Sequence, residues 1–129
     1  MRRMIDAMAR ILLVDDDPIF RAGAAAALGL AGHVVDEARD GRQAVAIFRA
    51  EPPDLVISDL VMPDSEGVQL IMMLRRESAT VKIIAITGGA HPTVYLRMAS
   101  LLGANYSLAK PFTYTLLLQT VEKALGGEP

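Results

Sequence analysis

The chain contains no cysteine. Disulfide frameworks, thiolate metal centres and cysteine nucleophiles are therefore excluded. Neither sign of charge dominates: 13 basic residues face 15 acidic ones, for a net charge of −2. A global electrostatic grip on nucleic acid is not expected from that balance. No apolar run approaches the roughly 20 residues that a membrane-spanning helix requires, and the N-terminus lacks the apolar core of a signal peptide. Aromatic residues are sparse at 5%, yet hydrophobic residues reach 52% and charged ones only 22%. That composition excludes a disordered chain and a coiled coil. Its 129 residues suit one domain with an ordinary core. A compact, soluble, cytoplasmic domain without membrane contact is expected.

The hydrophobic pattern alternates between short apolar runs and longer amphipathic stretches. Ile11-Leu12-Leu13-Val14 is too short for a helix and ends at Asp15-Asp16-Asp17, which fits a strand buried on both faces. Asp17-Pro18 reads as a helix start, with Asp17 as N-cap, and the helix is predicted to run to about Ala31 with Gly32 as C-cap. The same beat then repeats. Strands are predicted over His33 to Ala38, Leu55 to Ile57 (ending at Asp59) and Val81 to Ile86 (ending at Thr87), and Leu108-Ala109 closes a further short strand. Helices are predicted over Arg42 to Ala50, Gly67 to Glu77, Pro92 to Leu102 and Thr113 to Leu125. Five strands alternating with five helices imply an α/β domain with a parallel sheet covered on both faces. Residues 1–9 are read as an N-terminal extension, 10–126 as the domain and 127–129 as a tail, with no second domain after the last helix.

In open parallel sheets, ligands bind beyond the carboxyl ends of the strands, where the strand order reverses. The first strand delivers Asp15 and Asp16 there, the third Asp59, the fourth Thr87 and the fifth Lys110. Crowded carboxylates repel one another, so one protonates or a cation enters between them. An oxygen-only donor set without His or Cys favours a hard cation such as Mg²⁺. A metal, an ammonium and a hydroxyl around a further carboxylate form a site suited to phosphoryl transfer. His33 and His91 lack metal-ligand spacing and are read as surface or turn residues.

The motifs Ile11 to Asp16 (ILLVDD), Asp59 to Gly67 (DLVMPDSEG), Ala85 to Gly88 (AITG) and Lys110 to Phe112 (KPF) together resemble the receiver domain of two-component response regulators. Each is weak alone, but four in order, each at a strand end, are specific. The resemblance covers Arg10 to about Leu125 and implies a single (βα)5 flavodoxin-like domain of strand order 2-1-3-4-5. It also implies roles. Asp59 would accept a phosphoryl group from a sensor histidine kinase or phosphotransfer protein. Asp15, Asp16, Asp59 and the backbone carbonyl of Val61 would bind Mg²⁺. Thr87 would donate its hydroxyl to the phosphoryl oxygens, Lys110 would pair with the acyl phosphate, and Lys110-Pro111 would be a cis peptide. Val61 and Gly89, beside the site, would influence how long the phosphoryl group survives.

The chain departs from the family at one position. Similar receivers carry an aromatic residue three positions before the lysine, and its ring moves with the threonine on activation. Here that position is Ser107, with Tyr106 one residue earlier. A one-residue shift on a strand turns a side chain to the opposite face, so a different or weaker relay is expected. The family uses its fourth helix, fifth strand and fifth helix to bind targets or to dimerise. Tyr95, Tyr114 and Leu116 are accordingly candidate contacts, with Met72 and Met73 a weaker pair.

The expected function is a stand-alone phosphorylation switch acting through protein contacts, not a metabolic enzyme. Three other readings remain open. A phosphatase of the haloacid dehalogenase type would use Asp15 and Asp17, but it needs an acidic pair after the lysine, and beyond Lys110 the only acids are Glu122 and Glu128. A flavodoxin-like nucleotide binder would need a Gly-, Ser- or Thr-rich loop after the first strand, where Asp15-Asp16-Asp17 stands. A receiver fold could also serve as a constitutive interaction module.

Overall fold

The computed structural model describes residues 8–88 and 91–126. Gly89, most of the expected extension and the 127–129 tail lie outside the described residues. Five parallel strands form one sheet in the order β2-β1-β3-β4-β5. They are β1 (Arg10–Val14), β2 (Val34–Ala38), β3 (Leu55–Asp59), β4 (Lys82–Thr87) and β5 (Tyr106–Ala109). The helices are α1 (Pro18–Leu30), α2 (Gly41–Ala50), α3 (Glu66–Glu77), α4 (Pro92–Leu102) and α5 (Tyr114–Gly126). A 3₁₀ turn at Pro63–Ser65 leads into α3.

Strand side chains alternate between two cores. Leu12, Val14, Val56, Ile83 and Ala85 pack beneath α2, α3 and α4 with Phe48, Leu70 and Leu74. Ile11, Leu13, Leu55, Ile57, Ile84, Ile86 and Leu108 pack beneath α1 and α5 with Leu28, Leu117 and Val121. Burial on both faces is why the inner strands read as unbroken apolar runs.

Local chemistry sets the element ends. The Asp17 carboxylate accepts from the Ile19 and Phe20 N–H groups, capping α1 at Pro18. Gly32, with φ of 100°, takes the left-handed turn just beyond the Ala31 cap. His33 donates its N–H to the Leu28 carbonyl at 3.2 Å, so β2 begins at Val34, one residue later than predicted.

The sequence pattern marks only where β5 closes, at Leu108-Ala109, and the strand runs over Tyr106–Ala109. Asn105 secures its start: its N–H donates to the Ile83 carbonyl and its Oδ1 accepts from the Ile83 N–H, both at 2.8 Å. An edge strand is half-covered and tolerates Ser107, so it carries no apolar run. Ala9, assigned to the extension by pattern, is buried, and its carbonyl accepts from Val34 N–H at 2.9 Å.

Candidate functional site

The sheet order reverses between β1 and β3, which opens a crevice beyond their carboxyl ends. Asp15 and Asp16 follow β1 directly, and Asp59 is the last residue of β3. One carboxylate oxygen from each of the three lies within 4.8 Å of the others. Asp15 is fully buried, Asp59 is 6% exposed and Asp16 faces solvent.

Lys110, just after β5, points its ammonium into this cluster. Nζ lies 3.1 Å from Asp15 Oδ2 and 3.5 Å from Asp59 Oδ2. The Lys110-Pro111 peptide is cis. Burial pulls the Lys110 ammonium downward, but the Asp15 hydrogen bond and the charges of Asp15 and Asp59 outweigh it and leave the group above its ordinary value. Asp59 responds the other way. Desolvation pushes its carboxyl up to about 6, the neighbouring charges of Asp15 and Asp16 add to the rise, and the Val61 N–H and Lys110 oppose it.

Backbone geometry fixes the carboxylates. Asp15 Oδ1 accepts from the Asp17 N–H at 2.9 Å, and Asp59 Oδ1 accepts from the Val61 N–H at 2.8 Å. Arg21 Nη1 donates to the Asp15 carbonyl at 2.7 Å, tying the end of β1 to α1. Thr87 is buried at the end of β4, and its hydroxyl donates to the Leu108 carbonyl at 3.5 Å.

Asp15, Asp16, Asp59 and Lys110 thus converge as the sequence predicts. Thr87 ends the neighbouring strand with its hydroxyl turned to β5. Val61 meets Asp59 through its N–H, a contact that the pattern did not indicate. Two further residues escaped the sequence reading. Gly67 is needed for close approach, because a Cβ there would stand 2.4 Å from the Asp59 carbonyl oxygen and 2.6 Å from that of Leu60. Phe20 lies under Lys110, with its ring centroid 4.1 Å from Nζ. The glycine that closes the DLVMPDSEG segment was a signal for the first. The aromatic residue one turn into α1 was a weaker signal for the second.

The donor set fits a hard divalent cation. It offers three carboxylates and no imidazole or thiolate, the cluster carries more negative charge than Lys110 balances, and Asp16 opens it to solvent. A cation there would relieve the repulsion from Asp15 and Asp16 that adds to the effect of burial on Asp59.

A family model for the response regulator receiver domain matches residues 11–122. The chain belongs to the response regulator receiver family. It is 36% identical over 122 residues to Protein PilH of Pseudomonas aeruginosa, covering 93% of this chain and 100% of that protein. It is 37% identical over 121 residues to the C4-dicarboxylate transport transcriptional regulatory protein DctD of the same organism, covering 93% of this chain but only 26% of that protein. Against the response regulator MprA of Mycolicibacterium vanbaalenii, the chain spans 50% of the relative's length. The structure of the chemotaxis protein CheY4 of Vibrio cholerae superposes with a TM-score of 0.83 at 32% identity, covering 92% of this chain and 99% of that one. Receivers are signalling switches that take a phosphoryl group and in general bind Mg²⁺ at an aspartate cluster, and this receiver has such a cluster.

The departure at Ser107 is explained by the register. Ile84 pairs with Tyr106 and Ala85 with Ser107 without a bulge. The Tyr106 ring consequently joins the α1–α5 core, on the face opposite to Ser107. The candidate contact residues of this receiver also separate. Tyr95 on α4 lines a groove with Leu60, Met62 and Val68, towards α3. Tyr114 on α5 leans over α1, where a Cβ on Gly23 would meet its hydroxyl. Leu116 is 44% exposed, as its helical position predicts. Met72 and Met73 are exposed on α3. Among the described residues no helix is long and apolar enough to cross a membrane.

Proposed function

We propose that this receiver accepts a phosphoryl group on Asp59 from a phosphohistidine of a sensor histidine kinase or phosphotransfer protein, and that the resulting aspartyl phosphate switches its protein–protein contacts in two-component signalling. The observation that carries this reading is a single carboxylate, Asp59, held 3.5 Å from the Lys110 ammonium within a cluster of three acids at the reversal of the sheet.

The Asp59 carboxylate attacks phosphorus. As its O–P bond forms, the P–N bond to the donor imidazole breaks, and the imidazole leaves with the electron pair and takes up a proton. Lys110 and the Val61 N–H, which both touch the Asp59 carboxylate, turn to the phosphoryl oxygens and meet the charge that collects there. The Thr87 hydroxyl leaves the Leu108 carbonyl, a long contact at 3.5 Å, for the same oxygens. Asp15, Asp16, Asp59 and the Val61 carbonyl would hold Mg²⁺, which supplies charge neutralisation between carboxylates and phosphoryl group. Water then hydrolyses the acyl phosphate and resets Asp59. We read the protein as stand-alone, acting by docking or phosphorelay in the cytoplasm, with Leu116 and Tyr114 as contact residues and dimerisation on activation as one outcome.

Incubation with acetyl phosphate and Mg²⁺, followed by intact-mass measurement, tests the reading. One Mg²⁺-dependent, base-labile phosphoryl adduct is expected on the wild type and none on Asp59→Ala. An adduct that persists on Asp59→Ala would move the acceptor elsewhere, and no adduct on folded wild-type protein would favour a constitutive interaction module.

A further inference from the structure

The Phe20 ring closes a circuit around the site. Asp15 Oδ1 accepts from the Asp17 N–H at 2.9 Å, and Asp17 Oδ1 accepts from the Phe20 N–H at 3.3 Å. The Phe20 ring centroid then lies 4.1 Å from Lys110 Nζ, and Nζ returns to Asp15 Oδ2 at 3.1 Å. Phe112, two residues beyond the lysine, meets Phe20 edge-on, with centroids 5.7 Å apart and the ring planes at 86°. The ring is fixed from below by the helix cap and from the side by the segment that carries the lysine.

Such a clamp answers a problem specific to lysine. Its ammonium is a compact, strongly hydrated charge on a flexible four-carbon stem. The Lys110 side chain is 28% exposed and borders a mostly apolar hollow lined by Phe20, Pro111, Phe112, Thr113 and Tyr114, so it has room to turn outward. A further carboxylate would restrain it but would occupy its N–H donors. An aromatic face attracts the charge and leaves those donors free for oxygen.

We infer that Phe20 is a positioning residue, its ring face holding the Lys110 ammonium over the carboxylates so that it passes from Asp15 to the phosphoryl oxygens on Asp59 without swinging into solvent. This rests on the reading of Asp59 as acceptor and Lys110 as its cationic partner. It also gives the third aspartate of the triplet a function, since the Asp17 cap sets the height of the ring.

The test combines kinetics with a spectroscopic readout. In the Mg²⁺-free protein, the Lys110 ε-methylene protons should resonate upfield because of the Phe20 ring current, and Phe20→Leu should abolish that shift while Phe20→Tyr keeps it. With acetyl phosphate and Mg²⁺, Phe20→Leu should slow adduct formation about threefold to tenfold, the scale of one partly buried cation–π contact. Phe20→Tyr should restore the rate. In a Lys110→Met background, Phe20→Leu should change the residual rate no further. Phe20→Met is read in its place if Phe20→Leu melts below the assay temperature. An unshifted Lys110 methylene, a wild-type rate for Phe20→Leu, or an equal slowing in the Lys110→Met background each overturns the proposal. Loss of the adduct from the wild type itself would overturn the acceptor reading instead, and the ring-current measurement still decides the Phe20–Lys110 contact.

Discussion

The Lys110 ammonium stands nearer to Asp15, at 3.1 Å, than to Asp59, at 3.5 Å. In this structure the lysine chiefly compensates the most buried acid of the cluster. On the proposed function, its closer engagement with Asp59 awaits the charge that a phosphoryl group would bring. One cation thus neutralises the buried acid and, on the proposed function, is available for the reaction.

Removing that cation should therefore cost stability as well as reactivity. Lys110→Met leaves the Asp15 carboxylate in place without its ammonium, and a loss of about 1–2 kcal/mol at pH 7 is expected because the lysine is partly solvated. Urea denaturation of the Mg²⁺-free protein measures it. An unchanged unfolding midpoint would mean that the 3.1 Å contact contributes nothing net.

Asp59 should destabilise the metal-free fold at neutral pH. Its folded value, about 6, lies above its ordinary 3.8, so the unfolded chain releases this proton at lower pH than the folded one. Stability therefore falls as pH rises between those values, and the deficit is complete above the folded value. Asp59→Asn should stabilise the protein by about 2 kcal/mol at pH 8 and by almost nothing near pH 4. Saturating Mg²⁺ should narrow the gap at pH 8. A gain of equal size at both pH values would show that burial of the carboxylate charge is not its cause.

Asp64 has a φ of 59°, the left-handed region, in the turn between β3 and α3. A side chain is strained there and glycine is not. After allowing for the greater freedom of glycine in the unfolded chain, Asp64→Gly should gain up to about 1 kcal/mol. Thermal unfolding reads this out, and a lowered melting temperature would indicate that the aspartate side chain contributes more than its backbone loses.

Gly67 should not tolerate even one methyl group. The Cβ of Gly67→Ala would meet backbone, the Asp59 carbonyl oxygen at 2.4 Å, so relief requires moving α3 or the end of β3. A loss of about 2–3 kcal/mol is expected, together with slower adduct formation, since the strand end carries Asp59, the proposed acceptor. Alanine at wild-type stability and rate would show that α3 has slack at its first turn.

Much of this molecule is determined locally. The apolar run Ile11 to Val14, the Asp17-Pro18 helix start and the turn at Gly32 follow from short-range sterics and hydrogen bonding, which a linear pattern records directly. The convergence of Asp15, Asp16, Asp59 and Lys110 was also legible, because a parallel sheet gathers the carboxyl ends of its strands at one edge. Tertiary packing decided the rest. The start of β5 carries no apolar run, because an edge strand needs none, and it depends on Asn105 pairing with Ile83, 22 residues away. Whether Tyr106 or Ser107 faced α4 turned on a register set by that pairing. The contact of Phe20 with Lys110 and the approach of Gly67 to Asp59 are meetings between distant or folded-back segments, and distance in space leaves no period in the sequence. Residue order fixed which chemistry reaches the end of the sheet, and packing alone fixed the direction in which each group points, because orientation depends on neighbours the chain reaches only when folded.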